Sequence, residues 1–378
     1  MATMGQLVYL WLCSLLITIL VPGMASTART LNLDNRGRLS SLIRQNDGRL
    51  SSTLKLDEMN RCEKFIHNSR KGGPHQWGTI GLFIRYLVQV AVGAMFGLFL
   101  HVFNKIKVHH LDRLLTLVEK PRVDERPLLT VSNHQSMMDD PGLWAGILPW
   151  WRISPEKVRW SICTEDVFFS LPILTPFMAT GNTIPLDRSG SLNQESFEYL
   201  FEKLNGDRAW CHIFPEGRIW QDWRFSEDEP HLGPFKVGVG KMIAHCQEGR
   251  EPIIVPMIHK GMDQIIPEVQ LKAKPGSKRA KTSRPAVKFP LAGKKVDVFF
   301  GKPFDVREKV ERFRREHPGH LDSWDVSSAE ALALYQEIAD EVRVRMLELE
   351  ATARASLAQK NGDGPEISEV GPPKLLTA

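Results

Sequence analysis

The amino-terminal 26 residues of this 378-residue chain contain no charged side chain, and the remainder carries little excess charge of either sign. The formal net charge is +5, and residues 27–75 supply all of it, with ten Lys or Arg against five Asp or Glu. Residues 76–378 therefore balance at 39 basic and 39 acidic side chains. Because a nucleic-acid-binding core is usually basic, the sequence predicts no nucleic-acid partner.

Several motifs that mark other enzyme classes are missing from the sequence. The chain has five cysteines, and no two of them form the Cys-x-x-Cys pair of a zinc or redox site. It contains neither a His-Glu-x-x-His metal motif nor a glycine-rich nucleotide loop. The Gly-x-Ser-x-Gly elbow of serine hydrolases is also absent. The sequence thus predicts no metal, no cofactor and no serine nucleophile.

Two apolar runs predict targeting or membrane segments. Leu7 to Val21 is fifteen residues long, which fits a signal-peptide core and falls short of the ~20 residues of a spanning helix. Tyr86 to Phe103 is flanked by basic residues and would reach ~27 Å as a helix. A buried core helix is the alternative for this second run. Because the run is apolar on every face, we expect it to associate with the membrane, either spanning it or entering and leaving one leaflet.

After residue 120, short apolar runs alternate with segments of helical spacing. The predicted strands are Leu128–Ser132, Val158–Cys163, Ala209–Phe214, Ile253–Ile258 and Val296–Phe300. Helices are predicted over Leu192–Leu204 and Phe235–Cys246, and a Ser327…Glu330 capping box predicts the start of a third, long helix. Strands that alternate with helices predict an α/β fold, a sheet covered by helices.

Residues 271–296 differ from the rest of this region in composition. They contain nine Lys or Arg, three Pro and no acidic residue. This composition predicts an exposed loop. The loop is either simply solvated or docked on an anionic membrane surface, where each basic residue contributes on the order of 1 kcal/mol.

A histidine and an aspartate, His134 and Asp139, follow the first predicted strand five residues apart. Across one turn of a helix, the carboxylate can hold the imidazole in one tautomer and stabilise its protonated form. The pair alone is equally compatible with an unrelated surface His and Asp. Cationic side chains at the ends of later elements, namely Arg188, Arg218 and Lys236, are suited to binding a phosphate.

Taken jointly, these blocks resemble the glycerolipid acyltransferases that use a His-x4-Asp motif, throughout residues 125–305. Within that superfamily, Val131–Trp144, Ile213–Arg218 and Met257–Asp263 resemble the tafazzin family. The resemblance implies a single acyltransferase domain with a mixed sheet covered by helices, preceded by a membrane-associating helix. It further implies acyl transfer from a phospholipid to a lysophospholipid without coenzyme A, the reaction by which tafazzins remodel cardiolipin.

The resemblance also implies roles for individual residues. His134 would be the general base that removes the proton from the lysophospholipid hydroxyl, and Asp139 would orient it. Asn133 would either fix the turn or point its amide at the developing oxyanion. The residues implied in substrate binding are Asn133, Arg188, Glu216, Gly217, Arg218 and Lys236.

Four other functions stay open at this stage. Acyl-CoA-dependent lysophospholipid acyltransferases and N-acylphosphatidylethanolamine synthases share the same motif, and acyl-CoA would then be a substrate. A membrane-anchored lipid-binding scaffold is the non-enzymatic alternative, and a serine-type lipase is a weaker one. The expected partners are phospholipid and lysophospholipid substrates and an anionic membrane surface. The sequence makes no prediction of oligomeric state.

The predicted organisation has six parts. They are a hydrophobic signal-like segment (1–26), a basic extension (27–78), a membrane-associating helix (79–105), an acyltransferase domain (106–326, with the basic loop 271–296 inserted), a carboxyl-terminal helix (327–358) and a tail (359–378). The resemblance implies a mitochondrial membrane on its intermembrane-space side. The signal-like amino terminus favours the endoplasmic reticulum or a plastid instead.

Overall fold

A computed structural model describes most of the chain after residue 59. The described residues are 60–72, 78–119, 126–149, 157–165, 169, 174–187, 192–226, 229–270, 283–324 and 328–361. The predicted signal-like segment, most of the basic extension, Arg188, Ser327 and all but the first three residues of the predicted tail lie outside them.

Nine strands occur in the described part of the chain. They are β1 (Lys105–His109), β2 (Leu128–Ser132), β3 (Trp160–Thr164), β4 (Thr183–Leu186), β5 (Trp210–Ile213), β6 (Ile253–Lys260), β7 (Glu268–Gln270), β8 (Ser283–Pro285) and β9 (Lys295–Phe300). Seven of them form one sheet in the order β1-β9-β6-β2-β5-β3-β4. Strands β6, β2, β5, β3 and β4 run parallel to one another, whereas β9 pairs antiparallel with β6. The predicted mixed α/β sheet is therefore confirmed.

Helices cover both faces of this sheet. They are α1 (Arg61–Gly72), α2 (Gly78–Leu98), α3 (Asp112–Glu119), α4 (Trp144–Ile147), α5 (Leu174–Thr180), α6 (Glu195–Asn205), α7 (Gly238–Ala244), α8 (Met262–Ile265), α9 (Arg307–Glu316) and α10 (Ala329–Asn361). Strand β2 lies in the middle of the sheet and is buried on both faces. Leu129 and Val131 face one apolar cluster and Leu128 faces the other, because successive side chains of a strand alternate between faces.

The predicted apolar segment forms helix α2, which continues as a π-helical turn over Phe99–Phe103. Gly81–Phe103 has a mean hydropathy of 1.8 and is long and apolar enough to cross a bilayer, and one third of its most apolar window is buried. Val88 and Val92 pack into the domain, and the Arg85 guanidinium donates to Asn182 Oδ1 at 2.9 Å. The helix is thus anchored to the domain along one side.

The opposite side of α2 and of the π-helical turn that continues it, together called the stripe of α2, presents large apolar side chains to solvent. Phe83, Leu87, Leu98 and Val102 are all exposed, with Val102 at 66%. Their spacing of four, eleven and four residues keeps them on one stripe of a helix. The helix is therefore neither fully buried nor fully exposed, and its free stripe is apolar.

Two glycines allow elements to pack unusually close. A Cβ at Gly146 of α4 would lie 2.4 Å from Leu100 Cδ1, next to the apolar helix. A Cβ at Gly240 of α7 would lie 1.9 Å from the main-chain oxygen of Tyr335 in α10. The long helix α10 therefore covers the domain through backbone contact. Its own start is capped by Ser328, whose Oγ accepts the Ala331 N–H at 3.1 Å.

The basic region 271–296 is not an uninterrupted loop. Ser283–Pro285 forms strand β8 and pairs antiparallel with β7, and Lys295 already belongs to β9. The prediction of a continuous exposed loop is wrong for these residues. Strand pairing uses main-chain groups, so a high content of basic residues does not prevent it.

Candidate active site

The predicted dyad lies at the carboxyl end of the central strand β2. His134 Nδ1 is 2.9 Å from Asp139 Oδ2. The same carboxylate oxygen accepts the main-chain N–H groups of Gln135 at 2.7 Å and Ser136 at 2.8 Å. These bonds close the turn after β2 around the carboxylate, which is why five residues of separation bring the two side chains together.

The hydrogen bond to Asp139 defines the tautomer of His134. A carboxylate only accepts hydrogen bonds, so Nδ1 carries the hydrogen and Nε2 is left with a lone pair. The imidazole also stacks on Phe214, with ring centroids 4.2 Å apart. His134 lines an open cleft and its side chain is 18% exposed. The geometry therefore presents an oriented proton acceptor at a solvent-accessible surface.

The loop after β5 holds the main chain of His134 on both sides. Glu216 Oε1 accepts the His134 N–H at 3.2 Å, and the Trp220 N–H donates to the His134 carbonyl oxygen at 2.7 Å. Gly217 makes the tight turn between them with φ +66, a value that favours glycine. Two regions about 80 residues apart in sequence are thus joined at the dyad.

Glu216 is buried beneath this turn rather than exposed to a substrate. Burial raises the pKa of Glu216 to about 8, against the opposing effect of the His134 and Gly233 N–H groups, and the negative charge of Asp139 raises it further. Its carboxyl group is therefore mainly protonated at neutral pH. In this structure Glu216 supports the main chain of His134, and its part in substrate binding stays a prediction.

Two of the predicted phosphate-binding cations lie beside the same turn. Arg218 is exposed, lines the cleft and stacks its guanidinium on Trp220 at 4.2 Å. Lys236 is exposed, and its side chain passes next to Gly217. Its Cγ would lie 3.3 Å from a Cβ added at Gly217. Arg188 lies outside the described residues. The structure thus places Gly217 and Arg218 at one rim of the cleft, with Lys236 next to Gly217.

Asn133 is engaged by the neighbouring strand β6. Its Oδ1 accepts the His259 N–H and its Nδ2 donates to the His259 carbonyl oxygen, both at 2.9 Å. The side chain is buried at the base of the site. Of the two alternatives predicted for Asn133, the geometry therefore corresponds to fixing the turn, and the amide is occupied by main chain instead of facing an oxyanion.

The cleft at His134 has a volume of about 760 Å³. It is lined by residues from the ends of β2, β3, β4 and β5, namely His134, Met137, Asp140, Ile162, Cys163, Thr164, Leu186, Phe214, Gly217, Arg218 and Ile219. Carboxyl ends of parallel strands form such ligand sites because the connections diverge there. Among the described residues, no cluster of three or more His, Cys, Asp or Glu side chains could hold a metal ion.

A second, mainly apolar cavity of about 740 Å³ lies between α2 and the domain. Val88, Val92, Trp144 and Met178 are among the residues that line it. Asp140 borders the cleft and its ion-pair partner Arg159 borders the cavity.

Sequence reasoning assigned no role to Phe214, Asp140 or Arg159. The signal for Arg159 was present, since it is a lone charge within the predicted apolar strand Val158–Cys163. Such a charge must find a partner when its strand is buried. Its partner Asp140 could not be read from the sequence.

Comparison with known proteins defines the family. The sequence model of the family described as Acyltransferase matches residues 105–260, which include the dyad and the turn at Glu216. N-acylphosphatidylethanolamine synthase of Arabidopsis thaliana is 35% identical over 229 residues, 60% of this chain and 73% of that protein. Tafazzin of Drosophila melanogaster is 37% identical over 188 residues, 50% of this chain and 47% of that protein.

Among solved structures, the 1-acyl-sn-glycerophosphate acyltransferase PlsC of Thermotoga maritima is similar with a TM-score of 0.40 and 17% identity. The match covers 70% of this chain and 79% of that chain. The sequence relatives carry the assignment. The chain is an acyltransferase enzyme and belongs to the acyltransferase family, in the group that comprises the tafazzins and N-acylphosphatidylethanolamine synthase.

Proposed function

We propose that this enzyme transfers fatty acyl groups from a phospholipid to a lysophospholipid without coenzyme A, as the tafazzin resemblance implies, with cardiolipin as the remodelled product. Phospholipid acyl transfer as such is supported by the acyltransferase family and its tafazzin members. The observation that carries the proposal is the 2.9 Å contact between His134 Nδ1 and Asp139 Oδ2 at the mouth of the cleft.

In the proposed reaction, Nε2 of His134 takes the proton of the lysophospholipid hydroxyl while that oxygen attacks the acyl carbonyl carbon of the donor. A new C–O bond forms, and Asp139 stabilises the resulting imidazolium. Collapse of the tetrahedral intermediate breaks the donor ester bond. The departing glycerol oxygen takes the proton from Nε2, which returns the base to its starting state and leaves one ester made for one broken.

The surroundings of the dyad favour lipid substrates with a phosphate. Arg218 at the rim and Lys236 beside Gly217 are suited to a phosphodiester, and Arg188, which lies outside the described residues, is proposed to join them. The apolar cavity beside α2 has the character needed for acyl chains. Acyl-CoA is not required by this scheme, and no further cofactor is proposed.

We further propose that the exposed stripe of α2 contacts the bilayer, because both substrates are membrane lipids. On insertion, the apolar surface of that stripe would leave water. This would favour the membrane-bound state by roughly 25 cal/mol per Å² of surface buried. Basic residues 271–296 would add attraction to an anionic leaflet. The tafazzin relatives favour a mitochondrial membrane, and an endoplasmic reticulum or plastid membrane is the alternative.

A second candidate is N-acylation of phosphatidylethanolamine. It is favoured by the 35% identity to N-acylphosphatidylethanolamine synthase, which this chain matches over 73% of that protein's length. The same base would serve, since His134 can take a proton from an attacking amine as from a hydroxyl. The two candidates therefore differ in acceptor and donor, not in the dyad.

Acyl exchange in liposomes distinguishes these reactions. The full-length protein is incubated with labelled phosphatidylcholine or labelled acyl-CoA as donor and either monolysocardiolipin or phosphatidylethanolamine as acceptor. We expect label in cardiolipin without acyl-CoA. Label in N-acylphosphatidylethanolamine, or transfer from acyl-CoA alone, would replace the proposed function with the corresponding alternative.

The His134→Ala variant is the control for chemistry at the dyad. Its product yield should fall to background under every condition that is productive for the wild type. Binding to liposomes without transfer in the wild type would instead favour the non-enzymatic scaffold.

A further inference from the structure

A second histidine, His259, lies beside the dyad at the end of β6. Its side chain is fully buried and does not line the cleft. Strands β2 and β6 pair in parallel up to Ser132 and Met257. Beyond that point β2 turns away, and the Asn133 amide replaces a peptide group by bonding the N–H and C=O of His259 at 2.9 Å each. His259 is therefore tied to the residue that immediately precedes His134.

The imidazole of His259 also reaches the dyad. Its Nε2 lies 2.9 Å from the Asn133 carbonyl oxygen and 3.5 Å from Asp139 Oδ2. Both atoms are acceptors, so Nε2 carries the hydrogen of the ring. Burial lowers the pKa of His259, although the charge of Asp139 acts in the opposite direction. The ring is therefore a neutral donor directed at the Asn133 carbonyl, with Asp139 next to it.

The N–H of His259 approaches Asp139 from a different element than the groups that hydrogen-bond this carboxylate. The main-chain N–H groups of Gln135 and Ser136 and the ring of His134 all belong to the turn that Asp139 itself closes. His259 belongs to the adjacent strand, which is part of the rigid sheet. His259 thus links the turn to the sheet. The position of the dyad therefore depends on the sheet as well as on the turn.

We propose that His259 is a positioning residue for the acyltransferase dyad: its ring N–H holds the Asn133 carbonyl from the neighbouring strand and lies next to the Asp139 carboxylate. This inference rests on the proposed function, because it concerns the same dyad. His259 acts through Asn133 and Asp139 and exchanges no proton with the substrate.

The His259→Leu variant removes the N–H donor and fills the buried position of the imidazole with an apolar side chain. Without the His259 N–H dipole beside it, the Asp139 carboxylate interacts more strongly with protonated His134. The acid limb of the kcat/KM profile is then expected to move to higher pH by roughly half a unit. We expect kcat to fall roughly 10-fold, as for loss of a buried hydrogen bond, with little change in KM. His259→Gln keeps a neutral N–H donor of similar reach. It should restore most of kcat and return the acid limb close to the wild-type pH.

His212 provides a matched control. It is also a fully buried histidine on a neighbouring strand, and its ring nitrogens lie 3.0 Å from Thr130 Oγ1 and 3.4 Å from Ser132 Oγ. His212→Leu should lower the thermal unfolding temperature about as much as His259→Leu, since each removes one buried imidazole. The acid limb should move less in His212→Leu than in His259→Leu, because His212 reaches His134 only through Phe214, with the ring centroids of His212 and Phe214 4.6 Å apart.

All variants are assayed as full-length protein in liposomes that give wild-type transfer, from about pH 5 to 9, with activity normalised to folded protein. An acid limb at the wild-type pH in His259→Leu, or no recovery in His259→Gln, would overturn the inference. If His259→Leu does not fold, His259→Asn, which is polar but too short to reach Asp139, replaces it in the comparison with His259→Gln. Full activity of His134→Ala would instead refute the proposed function, whatever the His259 variants do.

Discussion

The imidazole of His134 stacks on the ring of Phe214, with 4.2 Å between centroids and 22° between planes. Phe214 thus fixes one face of the ring, while Asp139 fixes its Nδ1 edge. Because His134 follows β2 and Phe214 follows β5, the pairing of these two strands decides the direction of Nε2. The orientation of the proposed base is therefore a property of the sheet as well as of the His-x4-Asp motif.

Replacement of either dyad residue should abolish most activity without unfolding the protein. For His134→Ala and Asp139→Asn we expect kcat to fall roughly 10²- to 10⁴-fold, the range for loss of general base catalysis. In Asp139→Asn the amide can no longer enforce the Nδ1–H tautomer. Initial rates in liposomes measure the activity, and circular dichroism measures whether the variants are folded. Unchanged rates in both variants would contradict the assigned base.

The ionisation of Glu216 should make the protein less stable at high pH. Its pKa is raised from 4.5 to about 8, so the folded state holds the proton more tightly than the unfolded state. This stabilisation is complete below about pH 4.5 and is lost as the pH rises through about 8, by on the order of 5 kcal/mol. Glu216→Gln keeps the acceptor for the His134 N–H but cannot ionise.

Thermal unfolding from pH 5 to 9 tests this prediction. The unfolding temperature of Glu216→Gln should fall less than that of the wild type across the window and exceed it at the alkaline end. Asp263→Asn is the control, because burial raises the pKa of Asp263 only to about 6. The loss of stability caused by ionisation of Asp263 should therefore be complete at a lower pH than the loss caused by Glu216. Parallel curves for Glu216→Gln and wild type would contradict the buried, protonated carboxyl group.

Arg218 should act mainly on binding of the anionic substrate. In Arg218→Ala we expect a several-fold higher KM for lysophospholipid and a smaller change in kcat, with the difference decreasing at high salt because exposed charges are screened. Arg218→Lys should recover only part of this loss, since Lys lacks the planar stack on Trp220. Arg312, an exposed residue of α9, provides the control, and an equal effect of Arg312→Ala would reject a specific role.

Two glycine substitutions should have opposite effects on stability. In Gly240→Ala the new Cβ meets the Tyr335 main-chain oxygen, so α7 and α10 must separate, at a cost of about 1 to 3 kcal/mol. In Gly97→Ala nothing lies within 4 Å of the new Cβ, and the free energy of unfolding should rise by up to about 1 kcal/mol through helix propensity. Chemical denaturation measures both, and equal losses would contradict the close approach at Gly240.

The apolar stripe of α2 should determine membrane binding. Leu87→Glu places a charge at its centre, and we expect weaker flotation with liposomes of anionic lipid. Leu332→Glu is the matched control, because Leu332 of α10 is exposed to a similar degree, 40% against 43%. Equal loss of flotation in both variants would argue against a specific role for the stripe.

The interior of the sheet was predictable from the sequence, and its edges were not. Strand β2 is found at the predicted bounds, Leu128–Ser132, because a strand buried on both faces reads as an uninterrupted apolar run. Strands β1 and β4 occupy the two edges of the sheet and were missed. Lys105 and Lys107 give β1 polar character, and Pro185 lies within β4, both of which are features that edge strands tolerate.

By itself, the sequence determined which chemistry stands at the strand ends: a His and an Asp one turn apart, a Glu-Gly-Arg turn and several cations. Only the tertiary structure decided how these groups meet. The bonds from Asn133 to His259 join residues 126 apart, and the bond from His134 to Glu216 joins residues 82 apart. Such contacts depend on the strand order β6-β2-β5. That order arises from packing of the whole sheet, because local patterns specify the strands and not which strands become neighbours.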